Sequence, residues 1–144
     1  VPGKRARALI LIAALAVCGA AFAAEFGPYS ASVMRVIDGD TLELQIEIWP
    51  RTTVRATVRL AGIDTPEARA RAECERQAAR AATEFARRWV AERKPISVLL
   101  TGRDKYGREL GRVVSGGEDL AQALIAAGHA RAYDGGKRRG AWCS

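Results

Sequence analysis

Soft metal ligands are scarce in this chain. Its 144 residues include three cysteines and one histidine, and no two cysteines stand two residues apart as in a CxxC pair. A structural zinc site, which takes four thiolate or imidazole ligands, is therefore argued against. Long apolar runs are also missing. The stretch 8–24 is interrupted by Gly19 and is shorter than the roughly 20 apolar residues that span a bilayer, so no permanent membrane span is expected. There is no internal repeat or low-complexity tract. Lysine is rare: Lys4, Lys94, Lys105 and Lys137 are the only ones among 23 basic residues. Arginine richness of this kind can reflect genome composition and by itself signals no function.

What is present begins with an export-like leader. Lys4, Arg5 and Arg7 precede the apolar run 8–17, and Ala21-Phe22-Ala23 fits a small-residue cleavage site, the layout of a secretory signal. Residues 1–23 are read as that signal, 24–29 as a linker and 30–144 as one domain. The expected location is exported, periplasmic or extracellular. Lipidation at Cys18 is an alternative, opposed by the bulky Val17 before it. Removing 1–23 takes away three positive charges and no acids, so the formal +7 becomes +4, a modest excess compatible with a polyanion. Cys74 and Cys143 remain as an even pair in an exported protein and are predicted to form a disulfide.

The strand signals are strongest early. In 41–48, Leu42, Leu44, Ile46 and Ile48 alternate with Glu43, Gln45 and Glu47, the period of a half-buried strand. A strand over 30–37 precedes it through the turn Asp38-Gly39. Val54, Ala56, Val58 and Leu60 make a third strand, ended by Asp64-Thr65-Pro66 because Pro66 has no N–H to donate. A helix is predicted over 74–93, with Ala78, Ala82, Phe85, Ala86, Trp89 and Val90 on one face. Strands over 96–101 and 110–115 follow. Asp119 reads as the N-cap of a short helix with Gln122 three residues on, and Gly128 as its C-cap. Three strands, helix, two strands, helix fit a mainly β, α+β fold: a five-stranded Greek-key barrel of the oligonucleotide/oligosaccharide-binding (OB) type with packed helices. Several small α+β folds share that order.

Three motifs narrow the choice. Val36-Ile37-Asp38-Gly39-Asp40-Thr41, then Arg59-Leu60 with Ile63-Asp64-Thr65-Pro66-Glu67, then Asp104-Lys105-Tyr106-Gly107-Arg108 resemble, in order and spacing, the staphylococcal nuclease (thermonuclease) family. The resemblance covers roughly 31–133. It implies an OB barrel that hydrolyses phosphodiester bonds in DNA and RNA with calcium, Ca2+. By that resemblance Asp40 and Asp64 give carboxylate oxygens to the ion and Thr65 its carbonyl. Arg59 and Arg108 resemble the arginines that grip the scissile phosphate, and Glu67 the glutamate assigned as general base. Lys105 and Tyr106 match substrate-phosphate contacts, and Tyr133 a nucleotide-side aromatic.

The chemistry asks for these residue types independently. Calcium takes roughly 6–8 oxygen ligands. A carboxylate beside a water can take its proton as it attacks. Guanidinium groups hold two phosphoryl oxygens in a fixed fork and keep their charge.

Other polar residues have plainer readings. Asp38 is a turn residue, because Asp-Gly suits a tight turn and Asp40 already fills the family position. Glu43 and Glu47 form the wet face of their strand. His129 matches no catalytic position. Lys137-Arg138-Arg139 is a solvated basic tail, Trp89 is core, and Trp142 packs near the disulfide.

The sequence departs from the family in three places. The segment after Glu67 is arginine-rich (Arg69, Arg71) and runs quickly into the helix. A C-terminal helix is missing, and the nucleotide-side aromatics are incomplete.

The expectation is a calcium-dependent endonuclease acting on DNA, with RNA left open as a second substrate, monomeric, with no stable protein partner. The alternative is a non-catalytic OB module that binds nucleic acid or another polyanion. Such a module would need the arginines but not Glu67 or the acidic pair.

Overall fold

In the computed structural model, residues 24–137 and 140–143 are described. The leader 1–23, with Cys18, lies outside them, as do Arg138, Arg139 and Ser144. Five long strands carry the fold: β1 (Phe26–Asp38), β2 (Thr41–Trp49), β3 (Thr52–Leu60), β5 (Ile96–Arg103) and β6 (Glu109–Ser115). Three two-residue strands are interspersed: β4 (Ile63–Asp64), β7 (Glu118–Asp119) and β8 (Arg131–Ala132). The helices are α1 (Glu73–Glu92) and α2 (Leu120–Ala126).

The sheet runs β3-β2-β1-β5-β6-β7, and β3 also pairs with β6. That last pairing is parallel, Val58 to Glu109, Arg59 to Leu110 and Leu60 to Gly111. It closes the five long strands into the barrel that the strand order suggested.

Period-two patterning decides which side chains fill it. Leu42, Leu44 and Ile46 of β2 are buried and meet Val58 and Leu60 of β3, Val98 of β5 and Val113 of β6 in one core. Burying a side chain of this size contributes about 1.5–3 kcal/mol. From outside, α1 adds Ala82, Ala86, Trp89 and Val90, and α2 adds Leu120 and Leu124. Asp119 caps α2 as expected, its carboxylate accepting from the Ala121 and Gln122 N–H groups.

The linker expected over 24–29 is corrected. β1 begins at Phe26, with Phe26 opposite Leu100 and Tyr29 opposite Val98 on β5. Gly27-Pro28 fall in the irregularity between those two pairs, where the missing proline N–H costs no ladder bond.

Cys74, in the first turn of α1, is bonded to Cys143, with a Cα–Cα distance of 6.4 Å. Nearby, the Arg131 guanidinium lies 3.8 Å from the Trp142 ring centroid and bonds the Ala141 carbonyl at 3.0 Å. Among the described residues no helix follows α2. No helix among them is long and apolar enough to cross a membrane.

Candidate active site

One cleft of about 550 Å³ opens where the β1–β2 turn, the end of β3, β4 and the turn before β6 converge. Its walls include Asp38, Asp40, Arg59, Asp64, Thr65, Glu67, Arg69 and Arg108. The parallel β3–β6 pairing explains the convergence. It sets Arg59 beside Leu110 and so brings the 104–108 turn next to a strand almost fifty residues earlier.

The acidic turn is tightly built. The Leu60 N–H donates to the Asp40 carbonyl at 2.7 Å, fastening the turn to the end of β3. Gly39 is demanded by close approach: a Cβ there would lie 2.8 Å from the Ala82 Cβ and 3.3 Å from the Thr65 side chain. The turn thus presses against both α1 and the loop that carries Thr65. Asp38 does accept the Asp40 N–H, at 3.1 Å, as a turn residue should, yet it also lines the cleft. Burial and the neighbouring Asp40 charge push its carboxyl up from 3.8 to about 6.

Asp40 itself is buried. One of its oxygens accepts the Thr41 hydroxyl at 2.9 Å, and the other faces Arg59 Nη2 at 3.4 Å. Arg59 is further fixed by donating from Nη1 to the Leu60 carbonyl and from Nη2 to the Ile63 carbonyl, both at 3.2 Å. The fork is therefore held by its own strand end and by β4. That short strand is in turn clamped by β8, Ile63 to Ala132 and Asp64 to Arg131. Beyond it Thr65 and Pro66 are buried and Glu67 is exposed. The Glu67 N–H donates to the Glu75 carboxylate at 3.2 Å, which ties the loop to α1.

Arg108 is organised by Asp104. One Asp104 oxygen accepts the Arg108 Nε–H at 2.7 Å; the other accepts the Tyr106 and Arg108 backbone N–H groups at 2.8 and 3.0 Å. Partial burial works against charge on Asp104. The Arg108 side-chain and backbone bonds and the Tyr106 bond outweigh it and hold the carboxyl below its usual value. The Arg108 guanidinium also sits 5.6 Å from the Tyr106 ring.

The structure gathers Asp40, Arg59, Asp64, Thr65, Glu67 and Arg108 in one lining. It does not bring Lys105, Tyr106 or Tyr133 into it. Lys105 and Tyr106 stand exposed on the β5–β6 turn, with the ammonium 5.1 Å from the ring. Tyr133 borders a separate cleft of about 230 Å³ with Gly62 and Lys137, and its hydroxyl donates to the Gly136 carbonyl at 2.5 Å. Arg69 joins the lining although no motif marked it; its place two residues after Glu67 was the available signal. His129 packs against Phe85, with ring centroids 5.1 Å apart. Glu43 lies between Arg35 and Arg55, 3.5 Å from each.

The donor set suits a hard cation. Asp40 from the β1–β2 turn and Asp64 and Thr65 from β4 and the loop after it offer two carboxylates and a carbonyl to one cleft, and calcium completes such an oxygen set with water and substrate oxygens. Among the described residues no three acidic, histidine or cysteine side chains converge as a metal cage.

Comparison with known proteins agrees with the motifs. The family model described as "Staphylococcal nuclease homologue" matches residues 57–141. A protein from Escherichia coli O157:H7 described as "Uncharacterized endonuclease" is 36% identical over 103 residues, 71% of this chain and 60% of its own. The chain thus spans about 60% of the length of that relative. The thermonuclease of Staphylococcus hyicus is 29% identical over 136 residues, 86% of this chain and 78% of its own. With the barrel, the three motifs in register and this match over more than half its length, the chain belongs to the staphylococcal nuclease homologue family.

Proposed function

We propose that this protein is a calcium-dependent nuclease that hydrolyses phosphodiester bonds within DNA and RNA, leaving 3′-phosphate ends. The carrying observation is the convergence of two arginines, two aspartates and Glu67 on a single cleft. The printed names of the relatives, endonuclease and thermonuclease, support it. A module that only bound a polyanion would gain nothing from Glu67 or from an acidic turn that repels phosphate.

Asp40, Asp64 and the Thr65 carbonyl are the groups that would hold calcium. When bound, the ion supplies Lewis-acid polarisation of a phosphoryl oxygen and of water. The chain does the rest. Arg59 and Arg108 bond the non-bridging phosphoryl oxygens, whose negative charge grows in the pentacoordinate transition state. Both arginines are positioned beforehand: Arg59 is fixed by two carbonyls and Asp40 and meets phosphate with its remaining N–H groups, and Arg108 is held at Nε, leaving its two terminal nitrogens for phosphate. Donors fixed in place before the reaction are the effective ones. Glu67 accepts the proton of the attacking water at a carboxylate oxygen. Lys105 and Tyr106 meet phosphates outside the cleft, and Tyr133 meets the nucleotide side.

The reading extends to location and state. The leader-like 1–23 and the Cys74–Cys143 bond support export, to a periplasm or the outside, as a monomer with no stable protein partner.

The test is incubation of the protein with plasmid and single-stranded DNA and with RNA, in calcium or in chelator, with analysis of product ends. Calcium-dependent internal cleavage with 3′-phosphates is expected. No calcium-dependent cleavage of any of these substrates would overturn the proposal.

A further inference from the structure

The arginine-rich segment after Glu67 and the outer face of α1 have no part in the chemistry above. They nevertheless adjoin it. Ala68 is a wall of the active-site cleft, together with Arg69. The same Ala68 begins a second cleft, of about 420 Å³, that runs over α1 past Arg80, Thr83 and Arg87. The two clefts therefore adjoin at Ala68, and the second is a furrow that runs from there along the helix.

The helix supplies charge along that furrow at regular spacing. Positions three and four apart share a helix face, so Arg76, Arg80, Thr83, Glu84 and Arg87 form one row. Arg80 and Arg87 are separated by about 10 Å of helix rise. Both side chains are exposed, 65% and 57%. Arg80 bonds Glu73 at 2.9 Å and Arg87 faces Glu84 at 3.6 Å. Pairs this exposed contribute little and exchange readily.

Arg76 has a different task. It donates to the Ala70 and Arg71 carbonyls and to Glu73, fastening the loop to the helix. The row and its loop present five arginines (69, 71, 76, 80, 87) against Glu73 and Glu84. Glu75 is turned to the loop, where it receives the Glu67 N–H.

We propose that this furrow is an extended subsite for the sugar-phosphate backbone of a polynucleotide strand beyond the scissile bond. Arg69, Arg80 and Arg87 would take successive phosphates in place of their present carboxylate or solvent partners. Guanidinium forks accept phosphate and carboxylate in the same bidentate geometry. The inference rests on the nuclease reading of the adjoining cleft. Its consequence is that long strands bind better than short ones, with no base preference arising from this face.

The test is binding of phosphorothioate single strands, which resist hydrolysis, to the whole protein at several salt concentrations. One strand has about 20 nucleotides, longer than the roughly 4–16 that an OB barrel occupies, and the other is a tetranucleotide. Each phosphate contact on a single strand contributes about 0.7 to the slope of log K against log salt. The R80Q/R87Q double variant should therefore show a slope shallower by about 1.4 on the long strand. Its tetranucleotide binding should match the wild type. A charge-matched R51Q/R55Q variant, on the β2–β3 hairpin, should keep the wild-type slope. An unchanged long-strand slope for R80Q/R87Q, or an equal loss in the hairpin variant, would overturn the subsite and leave the row a solvated helix face. Cleavage of an unmodified strand by wild type in calcium, run alongside, tests the nuclease reading separately, because the binding slope needs no turnover.

Discussion

At the scale of the residue, Asp104 illustrates how a turn positions a cation. Its two oxygens collect three N–H donors from Tyr106 and Arg108, and its carboxyl is held below the ordinary 3.8. A carboxyl depressed in the folded state stabilises above its unfolded value and loses that contribution as pH falls through the folded one. Asp104→Asn should therefore be less stable than wild type at neutral pH. The gap should close in strong acid, below 3.8, when the two proteins are unfolded in urea at both extremes. A gap of constant size would refute the linkage.

Gly39 gives a second test at this scale. Adding the alanine Cβ forces it against Ala82, and overpacking of this kind typically costs about 1–3 kcal/mol. Denaturant titration of Gly39→Ala should show such a loss. Wild-type stability would mean that the turn is not pressed onto α1.

At the scale of the element, α1 shows both what patterning reveals and what it omits. The apolar stripe was readable from the sequence: Ala82, Ala86, Trp89 and Val90 are all buried. The expected start at 74 lies one residue from the observed Glu73, although Ala72, the N-cap, offers no side-chain acceptor. Ala72 nevertheless has the extended backbone of a cap, φ −73 and ψ 130. Ala72→Asp should add an acceptor and stabilise by about 0.5–2 kcal/mol in chemical denaturation; no gain would show the end already satisfied.

The covalent tie at the same end makes a larger contribution. It closes a loop of 69 residues, for which chain entropy gives at most about 4 kcal/mol. Cys143→Ser should lose up to that amount, and intact mass before and after reduction should differ by two hydrogens in the wild type. An unchanged mass would remove the tie.

Short elements were beyond sequence reading for a physical reason. β4, β7 and β8 have two residues each, too few for a period. The early start of β1 was hidden because Gly27-Pro28 looks like linker until β5 lies beside it. The capping Asp119, in contrast, announces itself locally.

At the scale of the whole molecule, the site exists only because the barrel closes. Six cleft residues were legible because each sits in a compact motif, but their meeting depends on β3 finding β6 across the chain. Arg69 was not legible as a cleft residue, since its role comes from where the loop lies against α1.

Closure also sets a demand on Gly111, opposite Leu60 at the seam. A Cβ there would come 2.5 Å from the Leu99 carbonyl oxygen. Gly111→Ala should lower stability by about 1–3 kcal/mol and reduce activity with it. Full activity at reduced stability would show that Arg59 and Arg108 do not need an intact seam.

The central claim is that this cleft cleaves phosphodiesters by means of its two fixed arginines. It is tested most directly by the rate of single-stranded DNA cleavage by wild type and by Arg108→Ala at saturating calcium. Removing one such electrostatic donor should slow the reaction by roughly a hundredfold or more, with folding confirmed by a retained cooperative denaturation transition. A correctly folded Arg108→Ala protein that cleaves at close to the wild-type rate would contradict the account.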